Sequence, residues 1–127
     1  MPKLQYTDDE KGRQVDLGQL SPAAIAVPVT SAATTITLTN TSQLYNVAMG
    51  ANTTFTFTAD ANAVAGDEYS LIFTQDATGS RVATWPSNFK KAGGSLVLTT
   101  TANAVDLIYL VYDGTNFHEG GRVLAQA

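Results

Sequence analysis

The chain has 127 residues, a formal net charge of -4, only 14% charged side chains and no cysteine. That length fits one domain able to bury roughly two thirds of its unfolded surface. The charge balance argues against a basic nucleic-acid-binding surface, and the lack of thiols excludes a disulfide scaffold or a thiolate metal centre.

Charge is concentrated at the start. Lys3, Asp8, Asp9, Glu10, Lys11, Arg13 and Asp16 crowd the first sixteen residues, and Leu17 to Ala59 has no charged side chain. Residues 1–20 therefore read as an arm of mixed charge with isolated apolar residues. Such a segment orders on a protein surface or remains a solvated tail; in the first case Leu4, Tyr6, Val15, Leu17 and Leu20 are its anchors. The arm has no apolar h-region, and no later run approaches membrane-spanning length, so neither a signal peptide nor a transmembrane helix is expected. Residues 21–30 hold Pro22 and Pro28 and read as a linker or an edge strand.

Residues 31–127 read as a β domain. In TTITLTN, Ile36 and Leu38 alternate with threonines; in LYNVAM, Tyr45, Val47 and Met49 share a side; in TTFTFT, Phe55 and Phe57 face in. EYSLIFTQ predicts a strand with Tyr69, Leu71 and Phe73 on one face. The Asp76 to Ser80 connection, with Gly79 free to take positive φ, predicts that RVATW returns against it as a hairpin. Pro86 ends that segment. SLVLTTT predicts a strand with Leu96 and Leu98 inward, and Asp113-Gly114 a turn into a short last strand near Phe117, followed by a fraying tail. Short strands at regular spacing without a helical segment predict an all-β fold, an antiparallel sandwich or jelly-roll-like barrel carrying the N-terminal arm.

The most apolar strand, VDLIYLVY, places Val105, Leu107, Tyr109 and Val111 on one face and Ile108, Leu110 and Tyr112 on the other. Such a strand needs cover on both sides. The chain's second sheet supplies one cover, and either a neighbouring copy or a long loop supplies the other. With a neighbouring copy, Ile108, Leu110 and Tyr112 form the oligomer interface.

Catalytic groups are sparse. His118 is the sole histidine, so no Ser-His-Asp arrangement arises without it and no zinc site is evident; no enzyme activity, cofactor or metal is expected. The carboxylate pairs Asp8-Asp9, Asp67-Glu68 and Asp113 with Glu119 leave a glycosidase as a minor alternative. Trp85 either closes one end of the core or, with Asn116, offers a stacking and hydrogen-bonding site for a sugar.

Four runs resemble a segment found near the C-terminus of tailed-bacteriophage structural proteins, including head fibres, capsid decoration proteins and some tail fibres. They are Gln75, Asp76, Thr78, Gly79 and Arg81; Thr84, Trp85 and Pro86; Thr100 to Ala104 followed by Asp106; and Tyr112 to Thr115. The resemblance implies a β-structured virion domain similar to trimeric knobs. Its functional implication is an accessory virion protein, a homotrimer on the capsid surface whose arm holds a major capsid protein or another virion protein. The alternative is a tail-fibre tip binding a host surface glycan. Neither nucleic acid nor membrane is an expected partner.

Overall fold

A computed structural model describes residues 24–39 and 44–126. The anchor residues expected in the arm, Leu4, Tyr6, Val15, Leu17 and Leu20, lie outside the described residues. The strands are β1 (Ile25–Val29), β2 (Ala33–Leu38), β3 (Leu44–Met49), β4 (Thr53–Ala59), β5 (Glu68–Gln75), β6 (Ala83–Thr84), β7 (Phe89–Lys90), β8 (Val105–Tyr112) and β9 (Phe117–Gln126). They form a six-stranded sheet, β1-β3-β5-β8-β9-β7, and a three-stranded sheet, β2-β4-β6.

The first six strands alternate between the sheets. Consecutive strands therefore do not pair with each other; each pairs with the strand two places on. β1 lies parallel to β3 and β3 to β5, while β2 lies parallel to β4 and β4 to β6. The result is a coil of three stacked rungs, β1-β2, β3-β4 and β5-β6. The corners stack as well: the N–H of Gly50 donates to Val29 O at 3.0 Å and that of Asp76 to Met49 O at 3.2 Å. On the far side of the same corner, where the chain enters β2, β4 and β6, the N–H of Thr54 donates to Ala32 O at 2.9 Å and that of Thr53 to Val82 O at 3.0 Å. Gly50 is required by this stacking, because a Cβ there would lie 2.8 Å from Val29 O.

The all-β reading is borne out, and strand direction is where the structure differs. Among the described residues five of the seven strand pairings are parallel, and only β5 with β8 and β8 with β9 run antiparallel. The expected hairpin between LIFTQ and RVATW does not form, since β6 joins β4 in the opposite sheet and β5 takes β8 as its partner. SLVLTTT is not a strand, although Leu96 and Leu98 are buried as expected. Its backbone is held instead by side chains and loops: Asp106 accepts the Thr99 N–H at 2.6 Å, and Leu96 O accepts the Trp85 indole N–H at 2.8 Å. The C-terminal tail does not fray. β9 runs along β8 as far as Gln126, with register shifts near its middle and its end, because the apolar β8 has an edge that would otherwise stay unpaired.

Between the sheets lies one apolar core. Tyr45, Val47 and Met49 of β3, Phe55 and Phe57 of β4, and Tyr69, Leu71 and Phe73 of β5 all point into it, as the alternation predicts. Aromatic rings join the layers, with Phe55 and Phe73 5.7 Å apart and Phe57 and Phe117 5.9 Å apart.

Ile108 and Leu110 are both 0% exposed and belong to this core. The interface expected at Ile108, Leu110 and Tyr112 is therefore corrected: these side chains face the chain's own interior, and Tyr112 stacks on Phe117 at 4.7 Å. Leu110→Ala is expected to destabilise the fold by about 2–5 kcal/mol in urea denaturation. Leu107→Ala, on the outward side, should cost well under half of that. Equal losses would contradict the facing.

Candidate interaction surface

With Ile108 and Leu110 facing in, β8 turns Val105, Leu107, Tyr109 and Val111 outward. The register extends this face across three strands, since Ile72 of β5 stands beside Leu107, and Leu107 beside Val123 of β9. Tyr109 is 48% exposed and Val123 49% exposed. Beneath Tyr109 and Val111 the partner strand holds Gly121 and Gly120. A Cβ on either glycine would already touch those side chains, at 3.8 and 3.7 Å, so Tyr109 and Val111 lie along the backbone of β9. On the remaining rungs the same outer face carries Asn46 and Ala48, both exposed. Glu68 and His118 flank Val111 at one end of the face. The outcome is a broad, weakly charged apolar surface, the kind that marks a contact site.

The outer face of the other sheet differs in chemistry. Thr35, Thr37, Thr54, Thr56 and Thr58 are exposed there and hold it in water without charge, as the alternation predicts.

Of the residues expected to bind a sugar, Trp85 packs into the core and Asn116 sits in a turn. Trp85 lies nearly parallel to Phe55 with centroids 5.3 Å apart, and meets Phe73 and Phe89 edge-on at 5.5 and 5.2 Å. Its indole N–H is taken by Leu96 O, so it closes the core, the other reading its position allowed. Asn116 is a turn residue: its N–H donates to Asp113 Oδ1 at 2.6 Å and its carbonyl accepts the Asp113 N–H at 3.0 Å.

The remaining motif residues tie loops together. Asp76 Oδ1 accepts the N–H groups of Thr78 and Gly79, and its Oδ2 accepts Arg81 Nε and Nη2. These bonds hold its carboxyl below the usual carboxylate range, with the Arg81 bond foremost. The buried Gln75 side chain clasps the Arg81 backbone from both sides, donating to its carbonyl at 2.8 Å and accepting its N–H at 3.0 Å. Gly79 has φ +72, and a Cβ there would lie 2.7 Å from Thr100 O, so the 76–81 and 99–103 loops meet only through a glycine. Asp106, 2% exposed, accepts the N–H of Thr99 and, at 2.8 Å, that of Ala125.

Glu119 and Arg122 pair with each other; Glu119 also accepts the Ala92 N–H, and Arg122 donates to Ser95 O. This brings the Ala92–Gly94 turn against β9. Asp113 instead meets His118 Nε2 at 2.7 Å in the β8–β9 turn. Among the described residues no three His, Cys, Asp or Glu side chains gather as a metal site.

Two comparisons find nothing: neither the curated proteins nor the solved structures contain a match to this chain. A family model does match, over residues 29–117, and it is described as "Putative phage tail fibre C-terminal domain". The chain belongs to this family. It is thus a bacteriophage structural protein and virion-associated. The matched span runs from the last residue of β1 to the first of β9, and so takes in the stapled loops and the outward face of β8.

Asp113 gives this region a pH signature. The N–H groups of Asn116 and Thr115 and the His118 ring hold its carboxyl down to about 2, the Asn116 bond contributing most. A depressed carboxyl stabilises the fold above its unfolded pKa of about 4, and that contribution is lost as pH falls through the folded value. The β8–β9 turn should therefore loosen between about pH 4 and 2. Carboxyl NMR titration of Asp113 is expected to give a midpoint near 2, and Asp113→Asn should remove the acid-range change in Asn116 amide exchange. A midpoint at the ordinary carboxylate value would contradict the bonding described.

Proposed function

We propose that this protein is a non-enzymatic projection domain of a phage tail, working as a homotrimer that contacts the host surface. The observation that carries the reading is membership of a tail-fibre family over the greater part of the β domain. The absence of catalysis is supported by what the carboxylates do. Asp76, Asp106, Asp113 and Glu119 each hold backbone N–H groups in loops and turns, leaving none of the four poised over a groove as an acid or base.

The trimer reading rests on the outward face of β8 and β9. Ile72, Leu107, Tyr109, Val111 and Val123 form an apolar surface that a threefold arrangement of copies would cover around an axis. Under this reading the interface lies one residue out of step with the one expected from sequence. Tyr109 is the natural anchor, large and amphipathic. A head location, with the arm on a capsid protein, depends on residues 1–20; the tail reading does not.

Two measurements test this. Native mass spectrometry should give three chains for the wild type and one for Tyr109→Asp or Leu107→Asp, with the β-sheet circular dichroism retained. A monomeric wild type would contradict the trimer. Antibody-gold labelling of intact virions should mark the tail; label spread over the head would replace the tail reading with capsid decoration.

A further inference from the structure

Register lines up the outward residues of the six-stranded sheet in rows that cross its strands. One row runs from Glu68 on β5 through Val111 on β8 and His118 on β9 to Lys90 on β7. The row beside it holds Ser70, Tyr109 and Gly121, and the next Ile72, Leu107 and Val123. Among the described outward residues of this sheet, fixed charge stands in the first row alone, an acid at one end and a base at the other, both exposed. Three strand spacings separate Glu68 from Lys90, about 14 Å. No ion pair joins them: among the described residues the ion pairs are Arg81 with Asp76, His118 with Asp113, and Arg122 with Glu119. The row therefore presents an acid and a base that do not satisfy each other within one chain, and the His118 between them is already engaged by Asp113.

Symmetry decides what each of them can meet. Copies turned about an axis parallel to the strands keep every residue at its own height. Each row then faces the same row of the neighbouring copy, with the β5 side of one against the β9 and β7 side of the next. The midpoint of the charged row falls between Val111 and His118, over the seam of β8 and β9. With the axis along that seam, Glu68 of one copy comes opposite Lys90 of the next, and Leu107 comes opposite Val123. A twofold axis running across the strands would reverse the heights instead. It would set Glu68 and Lys90 towards the uncharged row of Thr74 and Val105 and leave both charges without a partner.

Resting on the trimer reading, we propose that the copies meet head to tail, an ion pair from Glu68 of one to Lys90 of the next closing each contact. The apolar residues along the seam supply the buried area. The ion pair at the rim sets direction and height more than it adds affinity. This arrangement gives a role to the two fixed charges of a face that is otherwise uncharged, and it holds whether the domain sits on the tail or the head.

Carbodiimide cross-linking reads the contact in the unmodified protein. The reagent activates the Glu68 carboxyl, the Lys90 amine displaces it to form an amide, and the water lost is carried away as the urea. A mixture of isotope-labelled and unlabelled chains should yield covalent dimers and trimers on a denaturing gel. Peptide mapping should find Glu68 joined to Lys90 with one labelled and one unlabelled partner. A wild type that is trimeric by native mass spectrometry but lacks this linkage, or shows it only within one chain, would overturn the pairing and leave the trimer standing. A monomeric wild type would overturn both. Charge reversal gives a second readout: Glu68→Lys and Lys90→Glu should each weaken the trimer at least about tenfold, because each sets like charges together. Both substitutions in one chain should recover most of that loss, with the β-sheet circular dichroism unchanged throughout. No recovery in the double variant would equally overturn the pairing.

Discussion

Everything in this domain depends on the parallel stacking of its rungs. Because β1, β3 and β5 lie side by side in one sheet and β2, β4 and β6 in the other, each corner must sit directly on the one before. The corner bond from Gly50 to Val29 leaves no room for a side chain, so a single glycine decides whether the second rung can settle on the first. Parallel strands cannot be joined by tight hairpins. Here the return path between neighbours in one sheet is a strand in the other, and the same geometry encloses the core.

That architecture creates long connections, and the motif residues manage them. Residues 76–82 and 91–104 pass over the ends of the sheets with little ladder pairing of their own. Asp76, Gln75, Arg81 and Asp106 supply hydrogen bonds in its place, while Trp85 seals the core below them. The segments by which the family resemblance is recognised are thus scaffold. The sheet faces differ from these segments and from each other, Thr35 to Thr58 offering one chemistry and Leu107 to Val123 another.

Much of the fold was legible in the sequence. The alternation of Ile36 and Leu38, or of Phe55 and Phe57, with threonine fixed which side chains enter the core, and Asp113-Gly114 announced the one tight β-turn between paired strands. Strand direction was not legible, because alternation specifies a face and says nothing about which neighbour will pair. Three residues separate β3 from β4, a length suited equally to a hairpin or to a step into the opposite sheet. The interface was misplaced for a related reason. Asp106 shares a face with Ile108 and Leu110, and a carboxylate ordinarily marks the wet side of a strand. This one is buried because two backbone N–H groups, from Thr99 and Ala125, reach it from outside its own strand. No local pattern reports such partners.

The measurement that tests the stacking most directly is a set of nuclear Overhauser contacts in labelled protein. The account predicts parallel-pattern backbone contacts linking Val47 with Phe73 and Ile36 with Phe57, together with contacts between Leu71 and Ile108 across the antiparallel pair. Contacts joining residues 71–75 to residues 81–85 as an antiparallel hairpin would contradict it and would remove the coil on which the rest is built.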